Sequence, residues 1–188
     1  MPVRDYLRQL IEARADMYEK HVKEDPIVTR NEAGAVVSIV IDLRTGRIIE
    51  GSNRLVPAVL PDDLHPILQA PLDELVRKGK SDPFGYVYIR NRETGEIVLQ
   101  GRYPHYDVPG THAEIQAVNR MLYDREAMGY RVTPDTLGEF LLDNLFLEKK
   151  TFKTPARCCP NCTAILGKVI QSVPGWREVD EFARRKDG

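Results

Sequence analysis

Four side chains have the types and the spacing to do metal chemistry. His112 and Glu114 stand two residues apart in Gly-Thr-His-Ala-Glu, and Cys159 and Cys162 frame Cys-Pro-Asn-Cys. Zinc takes four tetrahedral ligands, and a catalytic site keeps one position for water. His112, Cys159 and Cys162 supply three, and two thiolates offset the charge of the ion. Glu114 is then beside the open position without being a ligand, as a proton carrier for hydrolysis must be. One His, one Glu and a C-x-x-C pair are the set that removes an exocyclic amine from a nucleobase.

Each half has an ordinary explanation of its own. Thr111-x-x-Glu114 is also a capping box, with Thr111 capping a helix and Glu114 at the third helical position reaching back. Cys159-x-x-Cys162 is compatible with a redox pair, although such a motif belongs after an early strand, not near the C-terminus. Together the two halves favour the metal. Both open helices, and the start of the second helix favours thiolate.

The elements that must position these groups follow from periodicity. Residues 1–24 carry Leu7, Leu10, Ile11, Arg14 and Met17-Tyr18 at helical spacing, and Pro26 stops the run. Ala35–Leu43 and Arg47–Gly51, joined by Arg44-Thr-Gly46, predict a β-hairpin whose first strand is buried on both faces. Asn53 follows it, where turn residues are common. Pro71–Gly79 reads as a short helix, and Tyr86–Arg90 with Glu96–Gln100 as a second hairpin. The prolines and glycine of Arg102–Gly110 mark a loop entering the His-Ala-Glu helix, whose buried face is Ile115, Val118 and Leu122 and whose end is Gly129. Thr133-Pro134 predicts a short helical turn, Phe140–Leu147 a central strand, and Pro160–Ser172 the second motif helix with Val169 and Ile170 facing inward. Trp176–Phe182 is a last strand or helix. Strands alternating with helices predict an α/β sandwich.

Bulk properties narrow the function. At 188 residues, with 42% hydrophobic and 29% charged residues, the chain is most simply one globular domain. Residues 1–29 form a helical extension, 30–172 a core and 173–188 a terminal strand and tail. A net charge of -1 argues against gripping duplex DNA mainly through phosphates. All three cysteines fall between 158 and 162, which is no disulfide framework and fits a reducing compartment. No apolar run approaches the ~20 residues that cross a bilayer, and the charged N-terminus lacks a secretory signal, so the cytosol is the expected compartment.

His112-Ala-Glu114 with Cys159-x-x-Cys162 resembles the cytidine deaminase-like superfamily. Within it, the chain is similar to bacterial toxin deaminases of the YwqJ-like type. The supporting text is Val-Ile-Asp-Leu-Arg-Thr-Gly before Glu-Gly-Ser-Asn53, then Gly-Thr-His-Ala-Glu-Ile-Gln-Ala-Val-Asn119, then Ala-Arg-Cys-Cys-Pro-Asn-Cys162. The likeness spans roughly residues 30–172. The family's proline before the first ligand cysteine is here Cys158, which leaves two candidates, Cys158 and Cys159, and the C-x-x-C spacing favours Cys159.

The resemblance implies a three-layer α/β/α sandwich: a central mixed sheet, both motif helices on one face, and Zn2+ between their starts. It implies Asn53 and Ala113 as substrate contacts and Glu114 as the catalytic residue. It further implies cytosine-to-uracil conversion in single-stranded DNA, delivery in a larger toxin that acts in a target cell's cytosol, and a cognate immunity protein as partner. Tyr103, His105 and Tyr106 could stack on the base or pack internally. Lys149, Lys150, Lys153 and Arg157 are either a backbone-tracking rim or a solvated loop. Adenosine deamination in RNA or tRNA, free-nucleoside deamination and a structural zinc module are the competing readings.

Overall fold

The computed structural model describes residues 1–20, 34–53, 63–80, 88–90, 97–100 and 110–173. Its centre is a four-stranded mixed sheet in the order β2-β1-β5-β6. The hairpin β1 (Val36–Asp42) and β2 (Ile48–Ser52) forms as the β-branched run predicts, and Gly46 takes φ 75 at its turn. β5 (Phe140–Phe146) pairs antiparallel with β1, Ser38 opposite Asn144. β6 (Ile170–Gln171) lies parallel to β5. β3 (Tyr88–Arg90) and β4 (Ile97–Gln100) make a separate antiparallel pair, the second hairpin expected.

Helices cover both faces of the sheet, because alternate residues of β1 and β5 are apolar in both directions. Toward one face, Val37, Ile39, Ile41, Leu141 and Leu145 meet Leu7, Ile11, Ala15 and Tyr18 of α1 (Val3–Lys20). Each fully buried leucine or isoleucine here contributes about 1.5–3 kcal/mol. Glu50 of β2 takes hydrogen bonds from Arg14 and Tyr18, so α1 is also tied to the hairpin by charge. Met17, expected on the buried stripe, is instead exposed.

Toward the other face, Val40, Phe140 and Leu142 meet α2 (Pro66–Lys80), α3 (Ala113–Ala127) and α4 (Pro160–Leu166). The two helices that follow the His and Cys motifs therefore share one face and one core. α3 is buried beyond the single stripe that its periodicity suggests, because it packs on β1 and β2 and also meets α4 and β5. Its far end is fixed by Arg125, fully buried, which reaches Asp42 of β1 at 3.5 Å and Glu139 at the end of the 3-10 turn Pro134–Glu139.

Two helix boundaries differ from expectation. α2 starts at Pro66, not Pro71, and carries Pro71 inside it. His65 caps this earlier start, its Nδ1 accepting from the Ile67 N–H at 3.2 Å, and burial of Leu64, Leu68 and Leu72 outweighs the hydrogen bond that Pro71 loses. α4 ends at Leu166, and Ile170 is in β6, not in the helix. Gly167 turns the chain at φ 54, and β5 offers an edge to which Ile170 and Gln171 can pair. The segment expected at Trp176–Phe182 lies outside the described residues.

Candidate metal centre

α3 begins at Ala113, with His112 as an extended N-cap residue (φ -70, ψ 158) that makes no side-chain capping bond. Glu114 is thus the second helical position, not the third that a Thr111–Glu114 capping box places it at. The cap comes from elsewhere. Asn53, the residue after β2, accepts the Ala113 N–H on its Oδ1 at 3.0 Å. Ala113, one of the expected substrate contacts, is fully buried and spends its N–H in that bond.

Gly51 sets how closely α3 can approach. A Cβ there would fall 2.2 Å from the Ala113 carbonyl oxygen and 2.7 Å from the Ala117 nitrogen. Helix backbone sits directly on strand backbone, and only glycine permits it. Further along α3, Asn119 Oδ1 accepts from the His65 N–H at 2.7 Å and ties α3 to the start of α2.

The second motif arrives on α4. Cys159 is its N-cap and Pro160 its first residue, a position whose missing N–H costs nothing. The Cys159 Sγ accepts from the Cys162 N–H at 3.3 Å, so one helical turn holds both sulfurs on the same side. His112 Nδ1 lies 3.5 Å from the Cys159 Sγ and 3.2 Å from the Cys162 Sγ. A tetrahedral zinc with bonds of about 2.0–2.3 Å separates its nitrogen and sulfur ligands by about 3.5 Å. The three atoms all lie within 4.8 Å of one another, and among the described residues this is the one such His/Cys/Asp/Glu group. The donor set fits a zinc ion with one position to spare.

The electrostatics agree. The Cys162 thiol donates to Cys159, and with His112 beside it this brings the Cys159 thiol down to about 4. Burial holds Cys162 well above the ordinary thiol range, so the pair shares one proton. A dication displaces that proton on binding. Cys158 is fully buried too, but its sulfur is outside the ligand group; burial first, then the nearby Glu114, raises its thiol. Of the two candidates, the geometry gathers Cys159 with His112 and Cys162.

Glu114 is buried beside this group and outside it. Burial pushes its carboxyl above the usual range, with His112 opposing the shift. Comparison with family models, with curated proteins and with solved structures finds no match to this chain. The site is therefore read from its own residues.

The structure brings together His112, Glu114, Cys159 and Cys162, with Asn53 one hydrogen bond away. Tyr103, His105 and Tyr106 lie outside the described residues. Lys149, Lys150 and Arg157 are exposed, whereas Lys153 pairs with Asp16 of α1. Among the described residues no helix is long and apolar enough to cross a membrane. Gly51 and Asn144 were not singled out from the sequence. A glycine preceding Ser-Asn reads as an ordinary turn, and an asparagine inside an apolar strand shows no partner until α4 is in place.

Proposed function

We propose that this chain is a zinc-dependent hydrolytic deaminase of the cytidine deaminase-like kind, converting cytosine to uracil in single-stranded DNA. The observation that carries the reading is the convergence of His112, Cys159 and Cys162 with a buried, non-ligating Glu114 two residues from the histidine. A structural zinc site uses four protein ligands, and the described residues offer three.

His112 through Nδ1 and the two cysteine sulfurs would hold the ion. Zinc, when bound, supplies a Lewis acid that lowers the pKa of a water to about 7. Glu114 accepts a proton from the attacking water and delivers it to N3 of the cytosine ring. Glu114 then takes the remaining proton from the hydroxyl now on C4 and passes it to the departing amine, so the C4–N bond breaks, ammonia leaves, the carbonyl of uracil forms and the carboxylate is restored. Asn53 holds the start of α3, and through it both His112 and Glu114, in register with the sheet. Its Nδ2 is not spent in that bond and is the atom it would offer to a sugar or base. A toxin domain of this kind acts in the cytosol of a target cell and is neutralised by a cognate immunity protein; both follow from the resemblance of the motifs.

The test is to offer purified protein single-stranded DNA, duplex DNA, RNA and free cytidine, reading uracil or inosine by mass with bound zinc measured in parallel. Uracil in single-stranded DNA, abolished in Glu114→Gln with zinc retained, is the expected result. Inosine in RNA, or uridine from free cytidine, would reassign the substrate. Stoichiometric zinc with no product from any of the four would overturn the enzyme.

A further inference from the structure

Resting on the metal-centre reading and on no particular substrate, we infer that Asn144 is a positioning residue for the metal ligands. It fixes the place where the chain leaves the sheet to deliver Cys159. After β5 the chain turns back and runs antiparallel along the outer edge of that strand. The Phe146 N–H donates to the Thr154 carbonyl at 3.0 Å, Leu145 bridges Pro155, and the Ala156 N–H donates to the Asn144 carbonyl at 3.0 Å. Two residues back along the same edge the place is taken. There the Leu142 carbonyl accepts from the N–H of Ser172, directly after β6, at 2.8 Å. The returning chain must therefore leave the sheet opposite Asn144, just before the cysteine motif.

The Asn144 side chain grips the departing segment a second time. Phe140 and Leu142 alternate along β5 with Asn144 and belong to the core that holds α3 and α4, so the amide is on their face. Its Nδ2 donates to the Cys158 Sγ at 3.4 Å. One residue thus holds the chain by its carbonyl at Ala156 and by its amide at Cys158, and Cys159 comes next. Cys159 caps α4 and its sulfur accepts from the Cys162 N–H, so fixing Cys158 fixes where both ligand sulfurs stand. Stability does not account for an amide here. The Asn144 Oδ1 is buried without a partner among the described residues, which costs stability, and an apolar side chain of similar shape avoids that cost. What leucine cannot supply is the N–H, a directional group that reaches one atom of the ligand segment.

The experiment titrates the full chain with Co2+, whose d–d and thiolate charge-transfer bands report ligand geometry, and measures Zn2+ affinity by competition with a chromophoric chelator. Asn144→Leu should weaken Zn2+ binding by about 10–100-fold, the scale for removing a group that orients a ligand. Its Co2+ bands should change, while its melting temperature without metal is unchanged or higher. Cys158→Ala should give the same loss, and the double variant no more than either single one. Cys158→Ser keeps an acceptor for the amide and should bind as the wild type does. Ser38→Ala is the control, because Ser38 is buried opposite Asn144 in the β1–β5 register and its hydroxyl has no partner among the described residues. If Asn144→Leu does not fold, the contrast between Cys158→Ala and Cys158→Ser carries the test, and equal affinity in the two overturns the inference. Wild-type affinity and bands in Asn144→Leu, or losses that add in the double variant, overturn it as well. A wild type that binds no metal overturns the metal centre itself, and the role of Asn144 with it. Loosened metal in Asn144→Leu, with a wild type that turns over none of the four substrates, upholds the inference and overturns the deaminase reading instead.

Discussion

Gly51→Ala tests how the site is built without touching a ligand. The added methyl would sit 2.2 Å from the Ala113 carbonyl oxygen, against an ordinary contact of 3.4 Å or more. Both partners are backbone, in a strand and a helix, so no side chain can swing aside. α3 must withdraw from β2 by about 1 Å, the difference between those distances, which is a large displacement for a densely packed interior. Overpacking of this kind costs about 1–3 kcal/mol. The Asn53–Ala113 hydrogen bond, now 3.0 Å, would stretch past its working range, adding about 1 kcal/mol. For a chain of this size the sum, about 2–4 kcal/mol, lowers the melting temperature by about 4–16 °C. His112 moves with the helix, and metal sites tolerate errors of only about 0.2 Å, so zinc affinity should fall by about 10–100-fold. Thermal denaturation and competition with a chromophoric chelator measure the two effects. Gly138→Ala is the control, because a Cβ there meets nothing within 4 Å. If Gly51→Ala matched Gly138→Ala in both assays, the close seating of α3 on β2 would be wrong.

Cys159→Ser should lose zinc stoichiometry while Cys158→Ser keeps it; retention of zinc in Cys159→Ser alone would transfer the ligand role to Cys158. Asn53→Ala should destabilise the protein by about 0.5–2 kcal/mol, the usual cost of a lost N-terminal cap; an unchanged urea midpoint would show that the Ala113 N–H has no need of it. Asp143, a buried residue of β5, has its carboxyl raised to about 6 chiefly by burial, although Arg8 at 2.6 Å opposes the shift and Glu12 adds to it. Its folded-state value is above the unfolded one near 3.9, so the protonated form favours the fold. Its contribution is complete below about 4 and is lost as pH rises through about 6. Urea midpoints from pH 4 to 7 should therefore fall less steeply in Asp143→Asn than in the wild type, and parallel curves would count against the assignment.

Much of the arrangement is legible in local pattern. The β-branched run of β1 and the turn at Gly46 specify the hairpin. The apolar stretch of β5 gives a central strand, and the C-x-x-C spacing selects Cys159 over Cys158 before any fold is known. What pattern does not carry is long-range contact. Pro71 looks like a helix start because proline is favoured there, yet Pro66 is an equally good start and has His65 to cap it. Ile170 continues the helical spacing of α4 but has a strand edge available, and backbone pairing to β5 prevails. Thr111 and Glu114 have the right types for a capping box, but the helix begins one residue later than that box requires, because the Ala113 N–H finds Asn53 across 60 residues of sequence. The importance of Gly51 is a distance between two backbones, which composition cannot encode.

α3 is gripped at both ends by the same hairpin: Asn53 and Gly51 at its start, Asp42 through Arg125 at its finish. The hairpin and the helix form a brace whose span is set by the length of β1 and β2, not by the long stretch of chain that separates them. Of the intervening sequence, His65 and the buried leucines of α2 must stay to complete the core around α3, but the two grips themselves do not depend on its length. Lengthening the hairpin by two residues is the edit to avoid, because it would pull the two grips apart and leave the helix able to satisfy only one.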